Sequence, residues 1–159
     1  MISVACLVAV ASCNGGDEVL RDREYLPKIP RDELVASWTP RSRPPSLLQS
    51  VLARRSPVVG SLVLKLGEDC ELTRELGELL VDCADHVPAE PSGKGPCAWR
   101  IEGLPERESV SILFAGPDSR WRRVSFGVFR HATTGDLALV GTCGSGDAYG
   151  LFRQSDPAR

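Results

Sequence analysis

Cys83-x-x-His86, with Cys97 beyond it, brings together a thiol, an imidazole and a second thiol, the residue types that hold zinc. Structural zinc sites use two closely spaced ligand pairs, and only one such pair is present here. His86 and His131 are the only two histidines in the chain, so general-base chemistry has few places to reside. His131 with Ser125 and Asp136 supplies the types of a hydrolytic triad, but nothing in their spacing brings nucleophile, base and orienting acid together. Cys143-Gly144-Ser145-Gly146 lacks the Gly-x-Ser-x-Gly pattern of a nucleophile elbow. Ser92-Gly93-Lys94-Gly95 lacks the leading glycine of a phosphate loop. No dinucleotide fingerprint or calcium loop occurs. These residues predict a non-enzyme, with no catalytic residues, no metal and no cofactor.

A different chemistry is written near the start. Residues 2–11 read ISVACLVAVA, an apolar run without charge or helix breaker. The run is too short to span a bilayer, which takes about 20 residues, and it suits the apolar region of a secretory signal. Val10-Ala11-Ser12-Cys13 then resembles the lipobox of bacterial lipoproteins: a branched apolar residue, two small residues and a cysteine. The resemblance implies a signal over residues 1–12, cut before Cys13, and a diacylglycerol thioether on Cys13 as the membrane anchor. Signals of this kind open with Lys or Arg, whereas here the apolar run follows Met1 directly, as it would if the natural start lay upstream. The competing reading makes residues 2–11 a buried strand or short helix. Residues 13–30 begin Cys13-Asn14-Gly15-Gly16-Asp17 and read as a flexible tether, because such sequence has little apolar surface to bury.

The remaining chain, residues 31–155, is of a length for one domain. An apolar fraction of 42% and a charged fraction of 25% are those of an ordinary globular protein. A net charge of −2 gives no electrostatic reason to expect nucleic acid as a partner, since such binding needs a clustered basic excess. Charge is nevertheless uneven. Residues 68–90 are acidic, and Arg120, Arg122, Arg123 and Arg130 crowd a later stretch, which predicts solvated faces of opposite sign.

The elements that would position any site are short. Turn signals recur every eight to twelve residues or so, the spacing of a β meander. Residues 34–39 read as a strand or as one helical turn after Pro30. The insertion 40–57 holds a short helix capped by Ser46, with Leu47, Leu48, Val51 and Leu52 on one face. Leu62, Leu64 and Leu66 alternate as a strand. Residues 70–80 fit either a helix, through Leu72, Leu76, Leu79 and Leu80, or a strand followed by a loop. A long loop over 84–96 precedes alternating runs at 98–101, 110–114, 124–129, 137–140 and 149–153. Antiparallel strands in this number hide their apolar face by closing, so the fold class is mainly β. We expect an up-and-down antiparallel barrel or half-barrel of about eight short strands.

Of six cysteines, Cys6 and Cys13 belong to the signal and anchor. Cys70, Cys83, Cys97 and Cys143 are left, an even number that suits two disulfides in an exported domain. In a simple meander Cys83, Cys97 and Cys143 gather at one end and Cys70 lies about 17–20 Å away, whereas a disulfide needs Cα atoms within about 7 Å. Cys83–Cys97 is therefore the expected bond, pinning the 84–96 loop. It leaves Cys70 and Cys143, whose pairing conflicts with the same topology.

Leu34-Val35-x-x-Trp38, Gly60-x-Leu62-x-Leu64, Gly95-x-x-x-Trp99 and the stretch from Gly141 to Arg153 together resemble the small lipocalin-like lipoproteins of GC-rich Gram-positive bacteria. The resemblance implies a lipocalin-like barrel in which Trp38 on the first strand stacks against Arg153 on the last, although Ala36 stands where lipocalins carry glycine. Two functions are compatible with it. One is a binding module for a small apolar ligand, lined by Trp99, Trp121, Phe126 and Phe129. The other is a filled barrel that presents loops 40–57 and 84–96 to a surface protein. Either would sit outside the cell, held to the membrane through Cys13.

Overall fold

The computed structural model describes residues 20–40, 60–88, 95–143 and 148–154. The expected signal, the lipid expected on Cys13 and the helix expected after Ser46 all fall outside the described residues. The elements in order are β1 (Arg23–Tyr25), α1 (Arg31–Leu34), β2 (Ser37–Pro40), β3 (Leu62–Leu64), a 3-10 turn (Leu66–Glu68), β4 (Cys70–Leu72), α2 (Arg74–Val81) and β5 (Asp85–His86). The longer strands follow: β6 (Cys97–Leu104), β7 (Arg107–Ala115), β8 (Trp121–His131), β9 (Leu137–Thr142) and β10 (Ala148–Arg153). Residues 34–39 contain both of the alternatives read from sequence, since Leu34 ends α1 and Ser37 begins β2. Residues 70–80 do the same, with a three-residue strand followed by an eight-residue helix.

The sheet runs β4-β3-β2-β10-β9-β8-β7-β6, with all neighbours antiparallel. Its two outermost strands, β4 and β6, meet at a single bridge between Asp69 and Ala98. The strands thus follow one another around a nearly closed eight-stranded ring, the mainly β up-and-down barrel expected from the alternation.

β8 is the spine. Over Trp121–Phe126 one of its edges pairs with β7, and past that point, at Phe129–His131, the same edge accepts β1. Its other edge takes β5 at Arg122 and Arg123 and β9 over Gly127–Arg130. The folded part therefore begins before residue 31. Residues 23–29, expected in the tether, are held by β1, by a hydrogen bond from the Leu26 amide to the Val128 carbonyl (2.8 Å), and by one from the Ile29 amide to the Glu108 carboxylate (2.7 Å). Leu26 and Ile29 are the reason: they supply apolar surface that a polar tether lacks, and Ile29 is buried in the core.

Alternation decides which side chains face inward. In β8, Val124, Phe126 and Val128 are buried, while Arg123 and Ser125 between them are exposed. Trp38, Leu62, Leu64, Trp99, Ile112, Phe114, Leu139 and Leu151 join them in one core. Leu34 and Ile29 close the end at which β2 begins, and the buried Leu76 and Leu80 of α2 belong to the same core.

Candidate functional site

The barrel has one weak line and one covered mouth, and its four described cysteines mark both. The weak line is the β4–β6 seam. Beside the Asp69–Ala98 bridge, Cys70 and Cys97 are the next residues along their antiparallel strands and form a disulfide with Cα atoms 5.1 Å apart. Trp99 continues the seam. Its indole N–H donates to the Lys65 carbonyl at 2.8 Å, and the Arg31 guanidinium lies 4.9 Å from its ring centroid. Arg31 in turn reaches Glu68 of the 3-10 turn at 3.2 Å.

The covered mouth lies at the end where β6 begins. α2 leaves β4 through Thr73, whose amide donates to the Ser61 carbonyl at 3.0 Å and whose hydroxyl accepts from the Ser61 amide at 2.9 Å. Gly60 makes room for the helix: a Cβ there would stand 2.9 Å from the Leu76 Cβ. Eight helical residues span about 12 Å. Just past the helix, Cys83 is bonded to Cys143, which directly follows β9 (Cα–Cα 4.3 Å). In the ring of eight, β4 is first and β9 fifth, so they stand on opposite walls. The helix crosses the mouth like a strap, with Leu76 and Leu80 directed into the core and Glu75, Glu78 and Leu79 outward. The chain then joins the wall as β5, paired to β8.

These bonds correct the expected Cys83–Cys97 pairing: the disulfides are Cys70–Cys97 and Cys83–Cys143. The strand count placed Cys70 at the far end of the domain. That count set Cys70 and Cys97 at opposite ends of the strands, whereas where the ring closes Asp69 bridges Ala98 and Cys70 comes to lie beside Cys97. Both sulfurs of the Cys83 and Cys97 zinc candidate are thereby spent in disulfides. Among the described residues no group of three or more His, Cys, Asp or Glu converges to hold a metal.

The four aromatic residues expected to line a ligand cavity separate. Trp99 and Phe126 are fully buried in the packed core. Trp121 and Phe129 are half-buried on the opposite face of β8 from Val124 and Phe126, and Phe129 packs edge-on against Tyr25 of β1. Trp38 and Arg153 are direct partners in the β2–β10 ladder. Arg153 is exposed, the Trp38 indole donates to the Leu34 carbonyl at 3.1 Å, and among the described residues the arginines over aromatic rings are Arg23 on Phe152 and Arg31 on Trp99. The β2–β10 ladder lies mid-path, so the ring closes at β4 and β6 instead.

Outside the seam lies an open cleft of about 770 Å³ that sequence reasoning did not anticipate. Lys65, Asp69, Glu71, Arg74 and Glu78 line it together with the Cys70–Cys97 disulfide and the turns holding Pro96 and Pro117. Lys65 pairs with Glu71, and Arg74 with Glu78 at 2.9 Å, so most of the charge in the cleft is internally matched. No local motif announces it, because its walls come from β4, α2 and the ends of β6 and β7.

The Tyr149 side chain carries a hydroxyl into the barrel. The Tyr149 ring meets Phe126 edge-on at 5.5 Å and covers Gly141, its partner in the β9–β10 ladder. Its hydroxyl is buried and has no hydrogen-bond partner among the described residues, and burial pushes its pKa above the ordinary phenol value. The histidines are spent or remote. The Nδ1 of His131 accepts the amides of Thr133 and Thr134, both at 3.2 Å, and Ser125 lies six residues up the same strand, roughly 20 Å away. His86 is exposed on β5.

Among the described residues no helix is long and apolar enough to cross a membrane. No protein family, curated protein or solved structure matches the chain.

Proposed function

We propose that this chain is an exported lipoprotein, anchored through lipid on Cys13, whose disulfide-fastened barrel is a non-catalytic platform that works through its outer surface. One observation carries the choice of platform over carrier. The interior is occupied by the chain's own side chains, with Trp38, Trp99, Phe114, Phe126, Ile112 and most of the core leucines under 2% exposed. A carrier for an apolar ligand keeps a concave, largely apolar cavity for it. Two disulfides in a domain of this size also agree with an oxidising compartment, as export requires.

The small-ligand reading retains one foothold, the seam cleft, whose mixed polar lining suits a polar molecule better than a greasy one. Intact mass of the protein from the membrane fraction of its native host, without and with reductant, tests the main proposal. The expected species starts at Cys13, carries a diacylglycerol, and gains the hydrogens of two disulfides on reduction. Recovery of an unprocessed, lipid-free chain would sink it. Saturable binding of a fatty acid that quenches the emission of Trp99 in the oxidised protein would replace the platform with a carrier.

A further inference from the structure

The two disulfides differ in what they hold and in how far a reagent can reach them. Cys70 and Cys97 are 7% and 4% exposed, at the floor of the seam cleft. Cys83 and Cys143 are half-buried at the rim of the mouth. The first bond joins two strands of the barrel wall. The second joins the far end of α2 to the opposite wall, and it is reinforced there by the two residue pairs of β5 on β8. At its near end α2 continues from β4, four residues past Cys70.

We propose that Cys83–Cys143 is a redox latch: its reduction by a dithiol leaves the far end of α2 held only through the short β5, so that the helix loosens and uncovers the mouth of the barrel, while Cys70–Cys97 keeps the wall closed. The chemistry is thiol–disulfide exchange. A thiolate of the dithiol attacks one sulfur of the Cys83–Cys143 bond, forming a mixed disulfide and releasing the other cysteine as a thiolate. The second thiol of the reagent then displaces the first cysteine. The reagent leaves as a disulfide, the protein has gained two electrons, and both released thiolates take protons from solvent. A protein dithiol would reach the rim sulfurs as a small one does, whereas the seam sulfurs expose little surface and are approached only through the floor of the seam cleft. What is uncovered is apolar, because Leu76 and Leu80 face the core and are fully buried in the latched state. The latched barrel is therefore sealed, and the unlatched one offers an apolar mouth.

The test uses the full oxidised chain, graded dithiothreitol, alkylation of freed thiols and peptide mass mapping, with hydrogen exchange read on the peptide covering residues 74–81. Cys83 and Cys143 should be alkylated roughly tenfold or more faster than Cys70 and Cys97. In that half-reduced protein the 74–81 amides should exchange roughly tenfold or more faster while β7 and β8 keep their protection. The oxidised double variant Cys83→Ser/Cys143→Ser should show the same fast helix within an intact barrel. The proposal is overturned if Cys70–Cys97 opens first or at the same rate. It is also overturned if the helix keeps its slow exchange once the rim bond is cut, or if the double variant loses its strands.

Discussion

The indole nitrogen of Trp99 on β6 donates to the main-chain carbonyl of Lys65, just past β3, across a seam whose strands share only one backbone bridge. A side chain here does what a ladder does elsewhere in the sheet. Trp99 is 1% exposed although Lys65 is exposed, so the bond is part-buried, and without it the indole N–H has no other acceptor among the described residues.

Trp99→Phe keeps an aromatic ring and removes the donor. It should cost about 1–3 kcal/mol, from the lost hydrogen bond and the smaller ring, read as a lower urea midpoint with an unchanged slope. A variant as stable as the parent would show that the indole merely fills space.

Removing the seam disulfide with Cys70→Ser/Cys97→Ser releases a bond of sequence separation 27. Chain entropy alone predicts a loss of about 3–4 kcal/mol. The measurement is equilibrium unfolding of the oxidised protein. A loss under about 1 kcal/mol would mean that the rest of the seam already holds β4 against β6.

Tyr149→Phe deletes a buried hydroxyl that has no partner among the described residues, so it should stabilise the protein by about 1 kcal/mol at neutral pH. The same variant should change the alkaline limb. Below about pH 10 the phenol is protonated in both states and contributes no pH dependence. Above it the unfolded chain loses this proton while the folded chain, whose pKa is raised by burial, keeps it. The native state then binds more protons, so stability falls as pH rises toward the folded value. Tyr149→Phe should flatten that fall, and an unchanged alkaline profile would refute the assignment.

Gly141→Ala drives a Cβ to 2.5 Å from the Tyr149 hydroxyl oxygen and 2.6 Å from the ring carbon bearing it. Overpacking of this kind should cost about 1–3 kcal/mol. Tyr149→Phe should not rescue it, because the clashing ring carbon remains, whereas Tyr149→Val should recover part of the loss. Additive effects of Gly141→Ala and Tyr149→Val in thermal unfolding would show that the two positions do not touch.

Much of the wall was readable because alternation in a strand is local. Val124, Phe126 and Val128 face inward for the same reason that Arg123 and Ser125 face outward: successive side chains leave a strand on opposite sides. The cleft at the seam was not readable. Its walls meet only after β4 has come round to β6, and the lining residues Lys65, Glu71 and Pro117 carry no mutual spacing to detect. Trp121 and Phe129 were grouped with Trp99 and Phe126 by residue type. Their position one step out of phase in β8 puts them on the other face, a difference visible in the alternation itself.

Composition and spacing alone determined that this is a β meander with an even set of cysteines and no triad spacing, since strand period, turn residues and residue types are properties of short stretches. Which cysteine meets which was decided only by closure of the ring. Bending eight strands round until β4 faces β6 makes Cys70 a neighbour of Cys97, and laying α2 across the mouth carries Cys83 to Cys143. Both are consequences of hiding one apolar face, and no single stretch of the chain contains them.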